Sequence, residues 1–183
     1  MVATTFVLRH GMQTEPDMSA RAQYIRDHAT VWYLGWAVWV ASALSLLVFY
    51  VWWRRRIGRT RLSDAAVLAA ILGVLCDHTG EGLFMKLAGE SESFELYQDM
   101  GTALTGGAAN GLYTMGGILL TLATRDLPRG IRLMQWVTWI AGVAMTGSAI
   151  VESVAGLVIS GAILFPTFIV WVTWMGLKWR RDA

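Results

Sequence analysis

Residues Val31 to Trp53 read VWYLGWAVWVASALSLLVFYVWW, a run without a charged side chain, closed by Arg54, Arg55, Arg56, Arg59 and Arg61. A bilayer core roughly 30 Å thick is crossed by about 20 apolar residues, each rising about 1.5 Å. A helix on the surface of a soluble domain keeps a polar stripe toward water, and this run has none. Four more runs approach the same length: about Ala65 to Ala88, Thr105 to Thr124, Ile131 to Ile159, and Gly161 to Trp179. Pro128 ends the third within RDLPRGIR, the short SGA at 160–162 is expected to turn the chain into the fifth, and Pro166 predicts a kink there. The expected fold is all-α, an integral membrane bundle of five transmembrane helices at 31–53, 65–88, 105–124, 131–159 and 161–179. Residues 1–30 form an external tail, and with no low-complexity tract or internal repeat 1–183 read as a single membrane domain.

With 55% hydrophobic and 15% charged residues the chain is too apolar for an ordinary soluble domain. Its net charge of +2 does not point to nucleic acid, because the basic residues sit in short clusters beside the apolar runs. Clusters so placed set topology, since Lys and Arg are retained on the cytoplasmic side. The first-to-second connection, the third-to-fourth connection and the terminal KWRRDA are all basic, whereas AGESESFELYQDMGTAL is acidic. The N-terminus is therefore expected outside and the C-terminus in the cytoplasm, in a plasma (inner) membrane. Trp52, Trp53, Trp136, Trp139, Trp171, Trp174 and Trp179 then gather toward the cytoplasmic interface as an aromatic belt. The start MVATTFVLRHGMQTEPD lacks a basic n-region and a long apolar core, so a cleaved signal peptide is not expected. One cysteine, Cys76, allows neither an intramolecular disulfide nor a cysteine-based metal motif.

Two segments outside these runs have helical apolar spacing. Met18, Ala22, Ile25 and Ala29 share one face, with Asp17 or Ser19 as N-cap; Phe94, Tyr97, Met100 or Gly101, and Leu104 do so after Ser93. Both are expected as short interfacial helices on the outer side. Lys86, at the outer end of its span, is expected to snorkel to the headgroups. Gly107 and Gly111 form a small-xxx-small pair suited to close helix approach. The Arg-His-Gly of LRHG matches a phosphatase signature, but that chemistry needs a strand and a large α/β domain.

The second run holds LCDHTGEGLF, in which Asp77, His78 and Glu81 fall within five positions. Ionisable groups in a span are costly unless they find partners or water, and so face the bundle interior. Asp77 and Glu81, four apart, share one helix face, and His78 and Glu81, three apart, can meet. By depth, Glu152 of the fourth run and Asn110, Tyr113 and Thr114 of the third lie at the same outer level. Such a set is expected to share protons rather than charge every group. It supports a site for a cation, proton or small polar solute built from Asp77, His78, Glu81, Asn110, Tyr113 and Glu152. A metal, if held, would fall to His78, Glu81 and Glu152, although His-x-x-Glu reverses the order of di-iron bundles.

No Ser/His/Asp spacing supports hydrolysis, and the working function is non-enzymatic with no cofactor specified. The alternative is an accessory subunit of a larger membrane complex in which the polar set is a helix-packing knot. Apart from the lipid bilayer, the partners to expect are further copies of the chain or such a complex.

Overall fold

The computed structural model describes residues 8–89 and 93–181, and these are helical with no strand among them. Residues 1–7 of the tail, 90–92 of the acidic loop and 182–183 of the basic C-terminus lie outside the described residues. After a 3₁₀ turn at Arg9–Gly11 come α1 (Met18–Asp27), α2 (Ala29–Ile57), α3 (Arg61–Lys86) and α4 (Phe94–Thr102). A π-helical stretch, Ala103–Ala109, leads directly into α5 (Asn110–Ala123), followed by α6 (Arg129–Ile150) and α7 (Val154–Arg181). α2, α3, α6 and α7 are long and apolar enough to cross a membrane.

The bundle has two ends, each with its own aromatic cluster. At one end Tyr50, Trp53, Leu120, Ile131, Trp139, Trp171 and Met175 are buried together. Trp53 donates its indole N–H to Thr124 Oγ1 at 2.9 Å, and Arg56 reaches the carbonyl of Trp179 at 3.2 Å. The C-terminal ends of α2, α5 and α7 and the start of α6 therefore meet there, and with them the arginine-rich connections. At the other end Leu8, Ile25, Trp32, Trp36, Phe84, Leu87 and Phe94 are buried together, and Trp32 donates to the Phe84 carbonyl at 2.8 Å. The chain from Phe94 to Ala123 is helical throughout and runs from this second end to the first.

Local chemistry explains the boundaries. Thr60 and Ser63 cap the start of α3 reciprocally, at 3.1 and 2.9 Å, and Arg54 pairs with Asp64 across the preceding turn. The carboxylate of Asp17 accepts from the N–H groups of Ser19 and Ala20, at 2.8 and 3.3 Å, and so starts α1 where the sequence predicts. The Ser19 hydroxyl, and then those two N–H groups, hold the Asp17 carboxyl below its ordinary range.

Several expectations are corrected. The turn between the last two helices lies at 151–153, not at SGA; the fourth helix ends at Ile150 rather than Ile159, and α7 begins at Val154 rather than Gly161. The reason is local: Ser153 accepts from the Gly156 N–H at 3.2 Å and so caps α7, while Glu152 takes the left-handed conformation, φ 55°, that ends α6. The outer-loop helix is not separate, because α4 joins α5 through the π-helical stretch. α1 buries Arg21 and Ile25 and leaves Met18 exposed. Arg21 donates to Gln98 Oε1 and Gln98 donates to the Gly11 carbonyl at 3.1 Å, which clasps the tail onto α4. The expected belt also divides: Trp53, Trp139 and Trp171 are core residues, and Trp174 is exposed.

Candidate functional site

α3 shows why its polar residues are buried. Ser63, Ala66, Ala70, Gly73, Asp77, Gly80, Glu81 and Phe84 recur at helical spacing along its inner face, while Leu68, Ile71, Leu72 and Leu75 are exposed. Small residues let the neighbouring helices close on the carboxylates. A Cβ at Gly73 would lie 2.7 Å from Cε1 of Tyr113, so only glycine leaves room for that ring one turn before Asp77. At Gly80 a Cβ would lie 2.9 Å from the carbonyl oxygen of Gly101, and the backbone of α4 approaches just where Glu81 begins.

The result is two buried carboxyl groups one turn apart, 4% exposed at Asp77 and 0% at Glu81. Tyr113 donates its hydroxyl to Asp77 Oδ2 at 3.1 Å, and its own carbonyl accepts from the Tyr50 hydroxyl at 2.7 Å. His78 Nδ1 lies 2.7 Å from Glu81 Oε2, with the His78 side chain 32% exposed and that of Glu81 1%. Glu81 Oε1 is buried and has no hydrogen-bond partner among the described residues. The indole N–H of Trp36 is likewise buried and unpartnered, and its ring stacks on Phe84, one turn from Glu81, at 4.4 Å between centroids. Nothing in the sequence distinguishes this tryptophan from the others.

The remaining expected site residues lie elsewhere. Asn110 donates to the Gly142 carbonyl and to Thr146 Oγ1, both at 2.8 Å, and so ties α5 to α6. Thr114 is buried where Gly142 makes room for it, on the same seam. Glu152 stands exposed in the α6–α7 turn and lines a cleft of about 440 Å³ with Gln13, Asp99 and Thr102. Because α6 ends at Ile150 rather than continuing to Ile159, Glu152 lies in the turn and not within a span at the level of Glu81. Among the described residues no three His, Cys, Asp or Glu side chains converge to hold a metal, so His78, Glu81 and Glu152 do not form a ligand triad. Lys86 is exposed and sits 5.8 Å from the centroid of the Tyr97 ring, an anchoring contact. Of the predicted glycine pair, a Cβ added at Gly107 would meet nothing within 4 Å and one at Gly111 only the Thr146 side chain, at 3.4 Å, so neither position requires glycine for close helix approach.

What the arrangement can do follows from its donors and acceptors. Asp77 is held by a hydroxyl that also fixes α5, a packing role as much as a binding one. Glu81 differs, since half of its carboxylate is spoken for by an imidazole and the other half by nothing. Comparison of the chain with protein-family models, with curated proteins and with solved structures finds no match to any of them.

Proposed function

We propose that this chain is a multi-pass protein of the plasma (inner) membrane, crossing it five times with the N-terminus outside and the C-terminus cytoplasmic. Its outer-half polar site on α3 binds or conducts a cation, proton or small polar solute and carries out no enzymatic step. Support for five crossings comes from the course of α4 to α5: Phe94 shares a cluster with Trp32 and Phe84, whereas Thr124 accepts from Trp53 at the opposite end. Support for the orientation comes from the charges, because Arg54, Arg55, Arg56, Arg59, Arg61, Arg125, Arg129, Arg132 and Lys178 all belong to the Trp53 end. A reporter fused after Ala183 is expected in the cytoplasm and one inserted at 90–95 outside. An external C-terminal reporter overturns the topology.

The observation that carries the site is Glu81 Oε1, a fully buried carboxylate oxygen with no partner among the described residues, beside a second buried carboxyl. A group left so costs several kcal/mol in a membrane interior unless something completes it. The test is thermal unfolding of the purified protein in detergent, with and without monovalent and divalent cations across pH 5 to 8, for wild type, Asp77→Asn and Glu81→Gln. A ligand or pH effect on wild type that Glu81→Gln removes is expected; no effect of any cation or pH sinks the site. Five helices are few for a transporter, so transport would require an oligomer.

The accessory-subunit alternative draws on a different observation. Asn110 and Tyr113 are fully engaged in bonds between helices, as a packing knot requires. Co-purification of a stoichiometric membrane partner, together with silence in the cation and pH series, would favour it.

A further inference from the structure

We infer that the ligand of the α3 site is the proton, and that His78 is the group that delivers it to Glu81; this rests on the site being a binding site at all. A bare metal ion would need several ligands closing on one point, and no three such side chains do so among the described residues. A neutral solute would need a cavity. Two surface clefts, of about 440 and 490 Å³, are lined by none of Asp77, His78 and Glu81. A proton needs neither a cavity nor a third ligating group.

The two nitrogens of His78 divide the task. Nδ1 is on Glu81 Oε2 at 2.7 Å, while Nε2 makes no hydrogen bond among the described residues and belongs to a side chain one-third exposed. The ring therefore runs from a buried carboxylate to the partly exposed surface of the bundle, about 12 Å along the helix axis from Lys86 at the end of α3. Transfer balances simply. A proton from water forms an N–H bond at Nε2, the Nδ1–H bond breaks as Oε2–H forms, and a neutral imidazole remains with its hydrogen on Nε2. Release runs in reverse: the Oε2–H bond breaks as Nδ1–H forms and the hydrogen on Nε2 returns to water, which restores the carboxylate and the ring together. Negative charge on Glu81 is cancelled, which also relieves its repulsion with Asp77 one turn away.

Among the described residues no other titratable group takes this place beside Glu81. From α5 only Tyr113 faces the pair, already bonded to Asp77, and behind it Tyr50 of α2 bonds to the Tyr113 carbonyl. Between Tyr33 and Tyr50, α2 carries no titratable residue, the π-helical stretch carries none, and the Glu95 and Asp99 side chains of α4 are exposed. Among the described residues His78 is the base in contact with Glu81.

The experiment is infrared spectroscopy of the whole protein in lipid nanodiscs, following the C=O stretch of a protonated carboxyl during acidification and after transfer to D₂O. Wild type is expected to show a band that grows on acidification and that Glu81→Gln removes. Deuterium exchange of that band is expected to slow about 100-fold in His78→Phe, the scale of a lost acid–base group. His78→Gln keeps a hydrogen-bonding side chain beside Oε2 and should slow it too; if His78→Phe does not fold, this variant decides alone. Wild-type exchange rates in the folded His78 variants overturn the delivery role while leaving the site intact. A band absent at every pH, with unfolding shifted by a metal cation instead, overturns the proton as ligand and again leaves the site. Indifference to both pH and cations removes the site and the inference together.

Discussion

The two ends of the bundle bury aromatic rings equally well and treat their polar atoms differently. At the arginine-rich end each buried indole finds a threonine: Trp53 donates to Thr124, Trp139 to Thr121 at 2.8 Å, and Trp171 to Thr138 at 3.0 Å, with Thr138 bonded onward to Thr167. Toward the opposite end, Glu81 Oε1, Trp36 Nε1, Thr102 Oγ1 and Arg21 Nε are buried without partners. Gln135 is the exception at the first end, its amide unpartnered at both atoms. A saturated network in a low-dielectric interior rigidifies, and a partly saturated one remains open to a ligand. The first end therefore reads as scaffold, and the second holds the unpartnered atoms on which the proposed site rests.

The largest expected effect tests the scaffold. Trp171 is fully buried and its ring packs with those of Phe49, Trp53, Trp139 and Phe168. Trp171→Ala is expected to cost about 3–5 kcal/mol of stability in detergent, by lost burial and a cavity. A loss below about 1 kcal/mol would mean that this end is not the structural core, and the contrast would collapse.

A smaller pair of changes sharpens the comparison by removing one polar partner from each end. Thr121→Val keeps the volume but strands the Trp139 N–H, at about 1–3 kcal/mol. Glu81→Gln is expected to be near neutral or stabilising, because the amide oxygen can still face His78 and the repulsion with Asp77 is gone. Unfolding midpoints of the two variants in the same detergent decide the matter. Glu81→Gln costing as much as Thr121→Val would make Glu81 a packing residue like the threonines.

The asymmetry was only partly legible in the amino-acid sequence. The apolar runs could be read because a membrane demands their length, and four of them return as α2, α3, α6 and α7. The Asp77–Glu81 pair could be read because four-residue spacing fixes a shared face. The α6–α7 turn could not, since Val151 and the apolar residues from Val154 to Ile159 carry hydropathy straight through it, and only the Ser153 cap and the conformation of Glu152 stop the helix. That one slip carried Glu152 into the site. The threonine partners were hidden for another reason: hydropathy ranks a tryptophan as apolar without saying where its N–H must go.

The smallest expected effect concerns how the open end is covered. α1 lies there, clasped through Arg21 and Gln98, and its first turn depends on Asp17. Asp17 is held below its ordinary value of 3.8, first by the Ser19 hydroxyl and then by the N–H groups of Ser19 and Ala20. A carboxylate whose folded pKa is depressed stabilises fully above its unfolded value, and that stabilisation fades as pH falls below it toward the folded value. Protection of residues 18–27 against hydrogen exchange should therefore be complete and independent of pH around pH 6, where the cap is fully ionised, once the intrinsic pH dependence of exchange is divided out. Below about pH 4 the first turn should lose protection ahead of the rest of the bundle. Asp17→Asn supplies a cap that does not titrate, so it should abolish this acid-dependent fraying while leaving the clasp intact. Equal fraying in Asp17→Asn and wild type would trace it to other acids of the open end and remove the first turn of α1 from its control.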